Sequence, residues 1–188
     1  MAMLDNTQVK ISNVSVTSNA PFFANKSVSG KYQKRYTGVQ FFELKFTANY
    51  QLEHMMSVKK FAAEHQYGQP FEFPLSWFSE YKGSAQGTIQ LAATANPGTR
   101  ILKLGKFSGT LEAGSIIRFA NHSKLYTVMK DSSANEDLSI FPALRGTVQA
   151  GEIVTYRSSK GTFILTNDKI EWPVDSINKI QFTATEVI

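Results

Sequence analysis

Residues 105–146, GKFSGTLEAGSIIRFANHSKLYTVMKDSSANEDLSIFPALRG, read as a series of short β-strands separated by regular turns. The apolar runs Ile116–Phe119, Leu125–Met129 and Leu138–Phe141 are bounded by Ala113-Gly114, Ser132–Asn135 and Arg145-Gly146, residue types that supply turn geometry. Working outward, similar runs stand at Ile89–Leu91, Arg100–Leu104 and Ile153–Tyr156, punctuated by Pro97-Gly98 and Ala150-Gly151. Strands this short and evenly spaced predict a small closed or partly open barrel over residues 88–158, because closure hides the sheet edges.

The flanking segments have a different texture. In VQFFELKFTANY, residues 39–50, Phe42, Leu44, Phe46, Ala48 and Tyr50 share one face, which predicts a strand buried on one side. Val14 and Val16 alternate with serines, so an earlier strand is expected over Val9–Val16. Between them, NKSVSGKYQKRYTG is polar and glycine-bearing and reads as a long loop or an extended arm. From Leu52 to Tyr67, Met55, Val58, Ala62 and His65 recur at three- and four-residue steps, the spacing of one amphipathic helix, and Gly68 with Pro70 ends it. Phe71, Phe73, Leu75 and Trp77 then alternate across Pro74, which suits an edge strand because proline donates no ladder hydrogen bond. Residues 163–165 and a strand at Ile177–Ala184 close the chain. The first 87 residues supply few partners for their own strands, so the tail is expected to return to them. The fold class is therefore mainly β with one amphipathic helix: a sandwich or barrel core from residues 1–87 and 159–188, interrupted by the barrel of residues 88–158.

Composition narrows the function classes. Among 188 residues, 42% are hydrophobic and 19% charged, enough to bury a core. The 14 Phe, 7 Tyr and 2 Trp suit pleated, half-buried surfaces. There is no Cys, hence neither a disulfide framework nor a thiolate metal site. The first residues show no secretory pattern and no window reaches the length of a membrane span, so a cytosolic chain with no membrane partner is expected. The net charge of +5 divides as nine Lys/Arg against six Asp/Glu in residues 1–87, eight against five in 88–158 and three against four in 159–188. Spread in this way, it does not point to a dedicated nucleic-acid module.

Catalytic chemistry needs converging groups, and three histidines without cysteine offer few constellations. His54 and His65 lie on one helix about 16 Å apart at its rise per residue, too far to share a metal. His122 falls in an expected turn. Asp131, Glu136 and Asp137 bracket SSAN without the alternating ligands and central glycine of a calcium loop. Gly98 with Gly105-Lys106 has the wrong spacing for a phosphate loop. No catalytic residue, no metal ligand and no cofactor are expected. The stretch SGKYQKRY, with Lys31, Tyr32, Lys34, Arg35 and Tyr36, has the composition of a protein interface, equally of a solvated loop, and also of a surface that grips phosphates. Phe71 and Trp77 are further candidate interface residues. Tyr126, Tyr156 and Phe107 are candidates for an aromatic barrel surface, with Glu112 or Glu152 beside them in a sugar-binding reading.

The order of motifs resembles the distal tail proteins of siphophages over nearly the whole chain. The inserted domain of that family carries an AGD-like turn, a KxY strand and an IxPxL strand, matched here by Ala113-Gly114-Ser115, Lys124-Leu125-Tyr126 and Ile140-Phe141-Pro142-Ala143-Leu144. Ser115 stands where the family often has Asp. The strand Gly38–Glu43, the helix, the turn Gly68–Phe71 and Tyr81-Lys82-Gly83 follow the order of the family's core domain. The resemblance implies a virion structural protein assembled in the host cytoplasm. It implies a homo-oligomeric ring, commonly a hexamer, that joins the tail tube protein to the tail-tip or baseplate hub protein. Its inserted domain would be OB-like and peripheral, with tail fibre proteins as further partners and genomic DNA only passing through the lumen. The expectation from another class is a carbohydrate- or nucleic-acid-binding module that uses the barrel as its recognition surface.

Overall fold

The computed structural model describes residues 4, 7–75 and 78–188. The fold is mainly β with one short α-helix. Its chain forms two compact units: Met1–Asn19, Phe41–Phe73 and Thr162–Val187 in the first, and Ala20–Gln40, Pro74–Gly161 and Ile188 in the second.

In the first unit, β1 (Val9–Asn19), β4 (Phe41–Gln51), β15 (Ile177–Glu186), β14 (Lys160–Leu165) and β5 (Phe71–Pro74) form one sheet in that order. The expected alternation in β4 is what the structure buries: Phe42, Leu44, Phe46, Ala48 and Tyr50 all lie in the core. Strand β15 pairs antiparallel with β4 along its length, setting Leu44 against Ala184, Phe46 against Phe182 and Ala48 against Ile180. The C-terminal segment thus returns to the N-terminal strands. Strand β5 sits at the sheet edge and ends at Pro74, where a missing N–H costs no ladder bond.

After a 3-10 turn over Leu52–His54, helix α1 (Met55–His65) buries Val58, Phe61, Ala62 and His65, one stripe at helical spacing. His65 packs on the core between Phe61 and Phe71, with ring centroids at 4.7 and 5.3 Å, and its Nδ1 lies 2.9 Å from the Gln69 carbonyl. Gly68, at φ 86°, turns the chain out of the helix with its N–H on the His65 carbonyl.

In the second unit, β6 (Ile89–Gln90), β13 (Ile153–Thr155), β9 (Ile116–Phe119), β10 (Leu125–Val128), β12 (Asp137–Phe141) and β7 (Ile101–Lys103) form a six-stranded sheet. Its two outer strands meet through an antiparallel bridge between Leu91 and Leu104. The Ala92 N–H donates to the Lys103 carbonyl and the Gly105 N–H to the Gln90 carbonyl, each at 2.8 Å, so the ring of strands closes. A short pair, β8 (Thr110–Leu111) with β11 (Ser132–Ser133), lies outside that ring in sheet order. The interior is filled by Ile89, Leu102, Ile117, Phe119, Val128, Leu138, Ile140 and their neighbours.

The polar stretch expected as a loop or arm is instead paired. Strands β2 (Phe22–Lys26) and β3 (Tyr32–Tyr36) form an antiparallel ribbon in register from Phe22 opposite Tyr36 to Lys26 opposite Tyr32. Sequence periodicity misses it because every residue of β2 is exposed, so no buried face imposes an apolar alternation.

Candidate functional site

The ribbon is closed at its tip by the Ser27 N–H on the Lys31 carbonyl, the Gly30 N–H on the Ser27 carbonyl and the Lys31 N–H on Ser27 Oγ. At its base, Thr37 Oγ1 donates to the Pro21 carbonyl at 2.8 Å. Within the second unit the base is tied to the barrel. The Tyr36 ring lies 5.7 Å from that of Phe141, with the Arg100 guanidinium 6.0 Å from its centroid, and Arg145 donates to the Gly38 carbonyl at 3.0 Å. The buried Lys124 ammonium donates to Gln40 Oε1 at 2.9 Å. Burial raises the Tyr36 hydroxyl pKa, against the opposing pull of Arg145 and Arg100.

Beyond this anchorage the ribbon stands in solvent. Phe23 is 70% exposed, Phe22 and Tyr32 are exposed, and Lys34 Nζ sits 3.7 Å over the Phe22 ring. Residues 20–40 carry Lys26, Lys31, Lys34 and Arg35 and no acidic residue. Of 20 basic and 15 acidic residues, 16 against 15 remain for the rest of the chain, so the ribbon holds +4 of the net +5. The charge that looked evenly spread in long windows is concentrated on this element.

A second exposed feature belongs to the first unit. Ile177 pairs with Gln51, and the Leu52 N–H donates to the Ser176 carbonyl, which brings Leu52 and Ile177 to the junction of β4, the 3-10 turn and β15; Val174 precedes Ile177 by three residues and Met56 follows Leu52 by four. All four are exposed, Met56 by 73%. Nearby, a cleft of about 550 Å³ is lined by Glu171, Trp172, Pro173, Lys179 and Gln181 among others, and the Lys59 ammonium lies 5.7 Å from the Trp172 ring centroid.

Other expected site residues stand elsewhere. Phe71 is not an interface residue but a core one, stacked among Phe46, Phe61 and Phe163. Trp77 lies outside the described residues. Tyr126, at 1% exposure, and Tyr156 are barrel core, not barrel surface. Their hydroxyls serve the backbone: Tyr126 Oη accepts from the Arg145 N–H, and Tyr156 Oη donates toward the Gly87 carbonyl. Phe107 is half-buried against the same core.

Glu152, from the sugar-binding reading, and the acidic residues weighed as a calcium loop are occupied too. Glu152 accepts from the N–H groups of Asn121 and Gln149 and faces His122 Nε2 at 3.6 Å. Asp131 caps the Ala113 N–H, Glu136 the Ser133 N–H, and Asp137 pairs with Lys103. Among the described residues no three of His, Asp and Glu come together as metal ligands.

One network escaped sequence reading. The Tyr81 hydroxyl donates to Glu112 and accepts from the Ala85 N–H at 2.8 Å, while Ser84 N–H and Oγ both donate to Glu112 Oε1. A Cβ at Gly83 would occupy the space of the Glu112 carboxylate and the Tyr81 hydroxyl, so a side chain there would displace the network. Burial raises the Tyr81 pKa, reinforced by the hydrogen bond to Glu112, up to about 12. For Glu112, burial is the largest single effect and opposes ionisation, but the bonds from Tyr81 and Ser84 together outweigh it and leave the carboxyl below its ordinary value.

The sign follows. A carboxyl with a depressed folded-state pKa stabilises the fold above the unfolded-state value, and that contribution is lost as pH falls through the folded-state value. Glu112→Gln is therefore expected to lower thermal stability at about pH 7, with its deficit shrinking toward about pH 3. A deficit independent of pH would show that the ionised form plays no part.

Comparison of the chain with protein-family models and with curated proteins returns no match.

Proposed function

We propose that the chain is a structural protein of a phage tail tip, of the distal tail type, whose mechanism is assembly into a ring between tail tube and tip complex. The observation that carries this reading is the exposed apolar group of Leu52, Met56, Val174 and Ile177. Large apolar side chains left in solvent in this way are surface that another protein can cover. The resemblance in motif order supports the same reading, as does a barrel inserted between β5 and β14 in chain order. A ring needs two different complementary surfaces on each chain, and the apolar group supplies one of them.

Size-exclusion chromatography with light scattering, followed by negative-stain imaging, tests it. The wild-type chain is expected to form closed rings with increasing concentration, and Met56→Lys combined with Ile177→Lys to hold it as a monomer. A monomer at every concentration, unchanged by the two lysines, would overturn the assignment of this surface.

A further inference from the structure

We infer that the β2–β3 ribbon is a binding site for single-stranded nucleic acid. The inference does not depend on the ring reading, which rests on a surface of the other unit.

Charge supplies the first step. With +4 on the ribbon and 16 basic against 15 acidic residues elsewhere, the chain offers no comparable excess of acid to neutralise it, so the fitting partner is a polyanion rather than a second copy. The four cations lie on a span of ten residues, close enough to follow a phosphate backbone.

Surface chemistry supplies the second. Because side chains alternate across a strand, the pairs Phe23 with Arg35 and Asn25 with Gln33 share one face. With Ala24 and Lys34 they line a shallow depression of about 490 Å³. Phe23 offers an open ring face for a base, and the Asn25 and Gln33 amides carry both donors and acceptors for base edges. Arg35 stands on that face for phosphate, while Lys34, opposite Ala24, carries its ammonium over Phe22 on the other face of the ribbon. A purely acidic protein partner would use the cations but not this aromatic and amide surface. A duplex would hide its base faces in its own stack, which leaves a single strand as the ligand that uses the Phe23 ring, the two amides and Arg35 together.

The test is fluorescence anisotropy with a labelled oligothymidylate of about 20 nucleotides, over roughly 50 to 300 mM salt. Four phosphate contacts on a single strand predict a slope of log affinity against log salt of about −3. Lys34→Glu with Arg35→Glu is expected to flatten that slope by about 1.4 and to weaken binding at least tenfold, by about two contacts' worth of counterion release. Phe23→Ala is expected to weaken binding by about five- to a hundredfold with the slope unchanged. Lys60→Glu, on the exposed side of α1, should alter neither. These positions are exposed, and unchanged circular dichroism and melting of the variants establish that they fold. No binding at the lowest salt, binding indifferent to the ribbon substitutions, or equal binding of a duplex or of polyglutamate would overturn the inference.

Discussion

Phe46→Ala is expected to lower unfolding free energy by about 3–5 kcal/mol, a large fraction of the total for a domain of marginal stability. The residue is fully buried at the centre of the first unit, where its ring meets those of Phe61, Phe71, Phe73 and Phe182 at centroid separations of 5.0 to 6.5 Å. Phe46 joins α1, β5 and β15 to β4, so its removal opens a cavity lined from four elements that cannot all move inward. Close-packed interiors relax only partly around such a loss, and tilted or edge-on ring pairs add about 0.5–1.5 kcal/mol each beyond the area they bury. Urea unfolding followed by circular dichroism measures the effect. A midpoint near that of the wild type would mean that the aromatic cluster is not what holds the sheet to the helix.

Gly109→Ala is expected to cost about 2–4 kcal/mol, although it adds only one methyl group. Two independent obstacles meet there. The residue has φ 81°, in the left-handed region that side chains disfavour, and a Cβ would collide with the backbone carbonyl of Ser84 and approach the Ala85 Cα at 3.0 Å. A flexible neighbour could swing aside, but this one is main chain fixed by the Tyr81–Ser84–Glu112 network. Unfolding followed by tyrosine fluorescence reads the barrel side, and a loss below about 0.5 kcal/mol would show that segment 81–85 yields easily.

How much of this was legible in the sequence depended on whether a buried face imposed a period. Strand β4 alternates over ten residues because one side faces the core, and its boundaries are nearly those read from the pattern. The helix was read from Met55, Val58, Ala62 and His65, and the structure adds Phe61 to its buried stripe. In the barrel the strand positions are legible but the facing is not. Leu125 and Tyr126 are both buried though adjacent, as are Ile116 and Ile117, because strands of two to five residues in a small closed sheet meet cover on both sides. Alternation therefore does not tell a surface tyrosine from a core one there, and Tyr126 and Tyr156 were misplaced for that reason.

The ribbon failed as a prediction for the opposite cause, since it buries too little to leave a pattern. Its charge escaped because windows of about seventy residues or more dilute four cations. The Tyr81–Ser84–Glu112 network joins residues 28 to 31 apart, and nothing local announces such a meeting.

The place of β15 in the middle of its sheet bears on the order in which the chain can fold as it leaves the ribosome. The barrel is complete once Gly161 has emerged, because every strand of its ring lies between Ile89 and Thr155. By then β1, β4, α1 and β5 have long been made, yet the strand that joins them, β15, follows all of these elements in chain order. A nascent chain halted before Ile177 would carry a finished barrel and a β4 whose edge, from Glu43 to Gln51, still awaits its partner. Loss of Ile177–Glu186 is thus more damaging than its length suggests, since it removes the centre of a sheet rather than its rim.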